Sequence, residues 1–158
     1  MNAAKVEQAI AGQDAVISVL GPSRPPVADM METAARNIVS GMQKHRVKRL
    51  LSTTGAGVRD PQDRPKMFDR MMKTLLTLMV GDILRDSQAN VDLIRASDLA
   101  WTIVRFPRLT DGARTGTYRV GYVGRDSGSQ LSRADGAEFI LRELEKDEYI
   151  HKAPVVSY

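Results

Sequence analysis

A chain of 158 residues can enclose one hydrophobic core, so residues 1–158 are expected to form a single domain. Its 23 basic and 19 acidic residues leave a formal charge of +4, and with one Trp, four Tyr and three Phe it lacks the aromatic-laced basic stripe of nucleic-acid binders. No apolar run is long enough to cross a bilayer. The first residues do not form a signal peptide, and the absence of cysteine removes disulfide and thiolate chemistry, which fits a cytoplasmic protein.

Lys5 to Ala11 has the pattern of a short helix ending at Gly12. The near-continuous apolar run Ala15 to Leu20, closed by Gly21, predicts a buried strand. Pro22-Ser23-Arg24-Pro25-Pro26 is a rigid loop. Val27, Met30, Met31, Ala34, Ala35, Ile38, Val39 and Met42 then recur at helical spacing and give one apolar face. The basic patch Lys44-His45-Arg46-Val47-Lys48-Arg49 puts cations at that helix's C-terminus, where they complement its dipole. A second strand is expected over Val47 to Ser52, with a loop running through Gly57 to Pro65. Phe68 to Leu84 predicts a helix with Met71, Met72, Leu75, Leu76, Met79 and Ile83 inward, the methionines serving as adaptable packing. A separate helix over Ser87 to Ala96 would be capped by Asp86. Trp101 to Arg105 is a third strand and Tyr118 to Tyr122 a short one. Ser132 caps a helix over Arg133 to Glu145, and Pro154 to Tyr158 ends the chain as a strand. Apolar strands alternating with helices predict an α/β fold, its sheet mainly parallel and covered on both faces.

Ligands of such sheets sit outside the carboxyl ends of the strands. Three segments of suitable chemistry lie there. At Leu20, Gly21 and Pro22 the glycine admits close backbone approach, and Arg24 can meet a phosphate bidentately; the plainer reading is a strand-ending glycine and a surface arginine. Ser52, Thr53, Thr54 and Gly55 bring hydroxyls that both donate and accept, though turn chemistry alone would use the same residues. Phe106, Pro107, Arg108 and Leu109 join a fixed backbone to a cation. No strand followed by Gly-x-Gly-x-x-Gly opens the chain, and Gly55-Ala56-Gly57 lacks the spacing and lysine of a P-loop. His45 and His151 lack metal-ligand spacing, and Asp60, Asp63 and Asp69 form no EF-hand, so no metal is expected.

Several stretches carry a family likeness when taken in order. Ala11 to Ile17 with Leu20-Gly21, Arg36 to Val39, Ser97 to Arg105, Thr115 to Tyr118 and Leu131 to Asp135 together resemble the atypical short-chain dehydrogenase/reductases of the NAD(P)H-binding, NmrA-like type. Within these the likeness is greatest to the NADPH-dependent flavin (biliverdin) reductase branch. The resemblance implies a Rossmann-like NAD(P)-binding fold that begins after the family's first strands and Gly-rich turn. It implies NADP or NAD as cofactor, with NADPH favoured. Leu20, Gly21 and Pro22 would border the adenine side. Ser52, Thr53, Thr54 and Gly55 would hold the nicotinamide ribose, and Phe106, Pro107, Arg108 and Leu109 the nicotinamide amide. Thr53, Thr54 and Arg108 are the catalytic candidates, with Arg108 facing cofactor or an acidic substrate.

The classical Tyr-x-x-x-Lys relay is missing, because Tyr118, Tyr122 and Tyr149 are followed four residues on by Tyr122, Asp126 and Ala153. Hydride transfer to a flavin needs mainly a positioned nicotinamide. The resemblance therefore implies NAD(P)H-dependent reduction of a small conjugated acceptor, a flavin or quinone. Its alternatives are a non-catalytic dinucleotide-sensing module and a remnant that binds no cofactor. The expected partners are a small-molecule acceptor, with no nucleic acid and no membrane. Pairing through Ala15 to Leu20, which would form an unprotected sheet edge, is also expected, either with a second copy or with another chain.

Overall fold

Three apolar runs pair side by side in parallel: Ala15–Ser18 (β1), Arg49–Gly55 (β2) and Ala100–Phe106 (β3). This is a computed structural model; it describes residues 2–23, 25–65 and 67–158, the side chains of 67–80 excepted. Beyond β3 the sheet continues through Val155–Ser157 (β7), which is parallel, and ends on Arg119–Gly121 (β5), which is antiparallel to β7. The order is β1-β2-β3-β7-β5. Arg108–Thr110 (β4) and Gln130–Ser132 (β6) form a separate parallel pair, which the sequence pattern does not reveal because three-residue strands show no periodicity.

The pleat sends neighbouring residues to opposite faces. Leu50 and Ile103 pack on one side with Ile38 and Met42 of α2 (Met30–His45), Val91 and Ile94 of α3 (Met67–Arg95) and Ile10 of α1 (Ala3–Ile10). Leu51 and Val104 pack on the other with Phe139 and Ile140 of α4 (Arg133–Lys146). The expected Ser132 cap is present: its hydroxyl accepts from the Asp135 amide at 3.0 Å. The basic patch is divided among separate acids, with Lys44 on Glu7 and Lys48 on Asp98.

Three expectations are corrected. Ala15 to Leu20 is not a buried strand throughout, because β1 stops at Ser18, and Ile17, Val19 and Leu20 are exposed. Val27 is not on the helical face, because α2 starts at Met30 and leaves Val27 60% exposed. The two helices expected around Asp86 are one unbroken α3. Asp86 caps no helix of its own. Its carboxylate reaches the first turn of α2 and accepts from the Met31 and Glu32 amides, both at 2.9 Å. Asn90, one turn further on, donates to the Met31 carbonyl at 2.8 Å. Asp29, the residue before α2, makes no capping bond and has a left-handed φ of 53°. A residue of α3 thus does the work that sequence-adjacent caps usually do. The Asp86→Ala variant should therefore lose about 0.5–2 kcal/mol of stability in urea unfolding, and Asp86→Asn much less. An unchanged urea midpoint in Asp86→Ala would refute this cross-helix cap. The side chains of Met71, Met72, Leu75, Leu76 and Met79, expected to face inward, lie outside the described residues.

Candidate functional site

The carboxyl ends of β1, β2 and β3 meet the first turns of α4 around a cleft of about 240 Å³. Val19, Thr53, Phe106 and Leu109 line it from the strand ends, and Arg133, Gly136, Ala137 and Ile140 from α4. Of the expected residues it gathers Thr53, Phe106 and Leu109. The others are dispersed, for identifiable reasons.

Ser52, Thr53 and Thr54 do not form a loop. They continue β2, paired in register with Ile103, Val104 and Arg105. The pleat therefore splits them. Thr53 shares the α4 side with Leu51, while Ser52 and Thr54 share the opposite side with Leu50. Ser52 is buried at 3% exposure. Among the described residues none bonds to the Ser52, Thr53 or Thr54 hydroxyl. Gly55 ends the strand, and a Cβ built on it would meet no atom within 4 Å. The same holds for Gly21, so both strand ends are open to close approach.

Leu20 lines a different groove, along the outer edge of β1, and Pro22 a third beside Asp86. The edge groove is the larger at about 620 Å³, but it lies beside the sheet rather than at its carboxyl end. Arg24 lies outside the described residues. Pro107 is half-buried. Arg108 is exposed on β4 and donates to the Gln130 side chain at 3.0 Å, so it does not line the cleft.

Five cleft residues were not anticipated: Val19, Arg133, Gly136, Ala137 and Ile140. Arg133 stands at the mouth, more than half exposed, and donates to Asp111 at 2.6 Å. Gly136 seats Phe106: a Cβ there would fall 3.2 Å from the phenyl ring, so the ring lies against the helix backbone. The small pair Gly136-Ala137, one turn past a capping serine, was the available signal for a close ligand or ring approach.

The first turn of α4 is held by Asp135, which has no exposed surface. Burial alone would raise its pKa. The Tyr158 hydroxyl, the Gly116 amide and Thr115 outweigh burial and hold the carboxyl well below the usual range. Opposite the cleft, Asp63 and Arg105 pin the segment after β2, with Asp63 also accepting from the Val123 amide at 3.1 Å. Asp60 is likewise used structurally, paired with Arg95. The side chain of Asp69 lies outside the described residues. Among the described residues no cluster of acids and histidines can hold a metal ion, and no helix is long and apolar enough to cross a membrane.

Thr53 brings a hydroxyl and Phe106 and Leu109 an apolar shelf to the cleft, while Gly21 and Gly55, open to close approach, do not line it. Residues 1–158 contain no Gly-rich turn for a dinucleotide pyrophosphate.

The chain is similar in structure to a short-chain dehydrogenase/reductase from Veillonella parvula in complex with NADP (TM-score 0.78, 17% identity, all of this chain, 69% of that one). It is also similar to a Rossmann-fold NAD(P)-binding family protein from Shigella flexneri (TM-score 0.72, 24% identity, 99% of this chain, 66% of that one). A further similar structure is ChuY, an anaerobillin reductase from Escherichia coli O157:H7 (TM-score 0.72, 20% identity, 99% of this chain, 70% of that one). The chain thus spans about two thirds of the length of these structures. These likenesses give it the Rossmann-like fold. A family model described as NAD(P)H-binding matches residues 1–147, and the chain accordingly belongs to that NAD(P)H-binding family.

Proposed function

We propose that this chain is an NAD(P)H-dependent oxidoreductase-family protein that reduces a small conjugated acceptor, a flavin or quinone, by direct hydride transfer. The observation that carries this reading is the convergence of Thr53, Phe106 and Leu109 on one cleft at the strand ends. Thr53 would hold a ribose hydroxyl. Phe106 and Leu109 would form the dry shelf beside the nicotinamide, excluding water from the reacting face. A bound reduced nicotinamide supplies the hydride. NADPH is the favoured cofactor through the family likeness, and a neighbour that holds NADP supports it. The same reading places the protein in the cytoplasm, which a cysteine-free sequence suits.

A second reading, dinucleotide sensing without turnover, is favoured by one feature. No Tyr, His or Lys is among the described residues lining the cleft, so none of these supplies a general acid for ketone reduction.

Calorimetric titration separates these readings from a chain that binds nothing. NADPH should bind more weakly than micromolar, that is, by less than about 8 kcal/mol, because residues 1–158 bring no pyrophosphate cradle. Reduced nicotinamide mononucleotide, which has no pyrophosphate, should bind almost as well as NADPH. Thr53→Val should weaken both by about 0.5–1.5 kcal/mol, the worth of one hydrogen bond. Turnover with a flavin or quinone supports the enzyme; binding without it supports the sensor. Failure of either nucleotide to bind would sink both readings.

A further inference from the structure

Aspartate is followed by glycine at two places in the sequence, Asp111-Gly112 and Asp135-Gly136. Glycine has no Cβ to shield its amide nitrogen or restrict its backbone, so that nitrogen can approach the carboxyl carbon of the preceding aspartate. The structure puts the two pairs in opposite surroundings. Asp135-Gly136 lies in α4, and Asp135 has no exposed surface. The Thr115 and Gly116 amides and the Thr115, Ser132 and Tyr158 hydroxyls all donate to its carboxylate. Turning that carboxyl onto the Gly136 nitrogen would break every one of these bonds. Asp111-Gly112 lies in no helix or strand, and residues 111–117 are all exposed. The segment leads from β4 to β5, at the end of the sheet away from β1. The Asp111 side chain is 91% exposed. Its ion pair is with Arg133 at 2.6 Å, and exposed pairs fix their members weakly. Among the described residues the Gly112 amide donates to nothing.

We propose that Asp111-Gly112 is a site of spontaneous isoaspartate formation. The Gly112 nitrogen attacks the side-chain carboxyl carbon of Asp111. A C–N bond forms, a C–O bond breaks, and the carboxyl hydroxyl leaves as water with the amide proton. The cyclic succinimide then takes up one water. Opening at the side-chain carbonyl restores aspartate, and opening at the main-chain carbonyl gives isoaspartate. No atom is oxidised or reduced, and water is the only co-reactant. The main chain now runs through the former side chain and is one carbon longer, while the free carboxylate sits on Cα. Arg133 thereby loses the partner that it holds at the cleft mouth.

Trypsin separates the two pairs for measurement. Cleavage at Arg108 and Arg114 releases Leu109–Arg114, and cleavage at Arg133 and Arg142 releases Ala134–Arg142, each with a single aspartate. The full chain is aged at neutral pH, native or in urea, and the isoaspartyl form of each peptide is resolved by chromatography and mass spectrometry. In the native chain Leu109–Arg114 should convert at least about tenfold faster than Ala134–Arg142, which must first unfold locally, whereas in urea the two should convert at similar rates. Gly112→Ala should slow the first conversion several-fold. A Cβ at Gly112 meets only Ser132 Cβ at 3.7 Å and Thr110 Oγ1 at 3.8 Å, ordinary contacts, so this variant should keep the native circular dichroism. The Arg133 Nε–H NMR signal should move in step with conversion. The proposal is overturned if native Leu109–Arg114 does not convert, if it converts no faster than Ala134–Arg142, if the same difference persists in urea, or if Gly112→Ala ages like the native chain. An Arg133 signal that never moves would overturn the effect at the cleft mouth.

Discussion

Replacing Asp63 by alanine is expected to cost about 3–5 kcal/mol of folding stability, the penalty for stranding a buried charge. Arg105 lies inside the sheet with no exposed surface. Its guanidinium donates to both Asp63 oxygens at 2.8 Å, while its Nε reaches the Ala153 carbonyl at 2.7 Å and its Nη1 the Val58 carbonyl at 3.0 Å. Asp63 further accepts from the Asp60 and Val123 amides at 2.9 and 3.1 Å. The substitution therefore leaves a cation and two amides short of an acceptor at once. It also frees the segment 56–65 from the strand that it spans. Urea unfolding gives the measurement, with the midpoint and slope read separately. Replacing both partners, Asp63→Leu with Arg105→Met, should recover much of the loss, because no buried charge then remains. A loss below about 1 kcal/mol for Asp63→Ala, the value of an exposed pair, would refute the buried role.

Asp135→Asn is expected to cost on the order of 3 kcal/mol at neutral pH, the worth of one or two hydrogen bonds to a charged acceptor. One carboxylate oxygen accepts from the Thr115 and Gly116 amides at 2.9 and 2.8 Å. The other accepts from the Thr115, Ser132 and Tyr158 hydroxyls. An amide in its place turns an NH₂ group toward donors. The pH dependence has a fixed sign. The folded pKa of Asp135 is depressed, so its contribution is fully present above the unfolded value of about 4. That contribution is lost as the pH falls through the lower folded value. The stability gap between the native chain and Asp135→Asn should accordingly be constant from neutral pH to about 5 and close in strong acid. A gap that stays open in strong acid would show that the charge is not what Asp135 contributes. Because Asp135 holds the first turn of α4, where Arg133 and Gly136 meet the cleft, nicotinamide mononucleotide binding should weaken in the same variant.

The candidate site was only partly legible in the sequence. Three strand ends were visible because apolar runs, glycines and hydroxyls are local features. Which hydroxyl faces the cleft was not, because β2 runs on to Gly55 and its pleat puts Thr53 on one face and Thr54 on the other. The strand pattern Trp-Thr-Ile-Val-Arg suggested an end at Arg105. The structure buries that arginine because its partner, Asp63, comes from a loop 42 positions away. Gly136 and Arg133 went unread for a similar reason: their meaning depends on Phe106 and Leu109 approaching from another layer.

What the sequence by itself determined was the alternation of apolar strands with amphipathic helices, hence a mainly parallel sheet with α/β layers, and the capping of α4 by Ser132. These follow from the period of hydrophobicity and from bonds between near neighbours, both of which are written along the chain. Only the tertiary structure decided that α3 is continuous, that Asp86 caps α2, and that Arg105 can be buried. The last two depend on a carboxylate supplied from a distant segment. A polar group's acceptable environment is set by the partner that reaches it after folding, and one-dimensional spacing does not encode that partner.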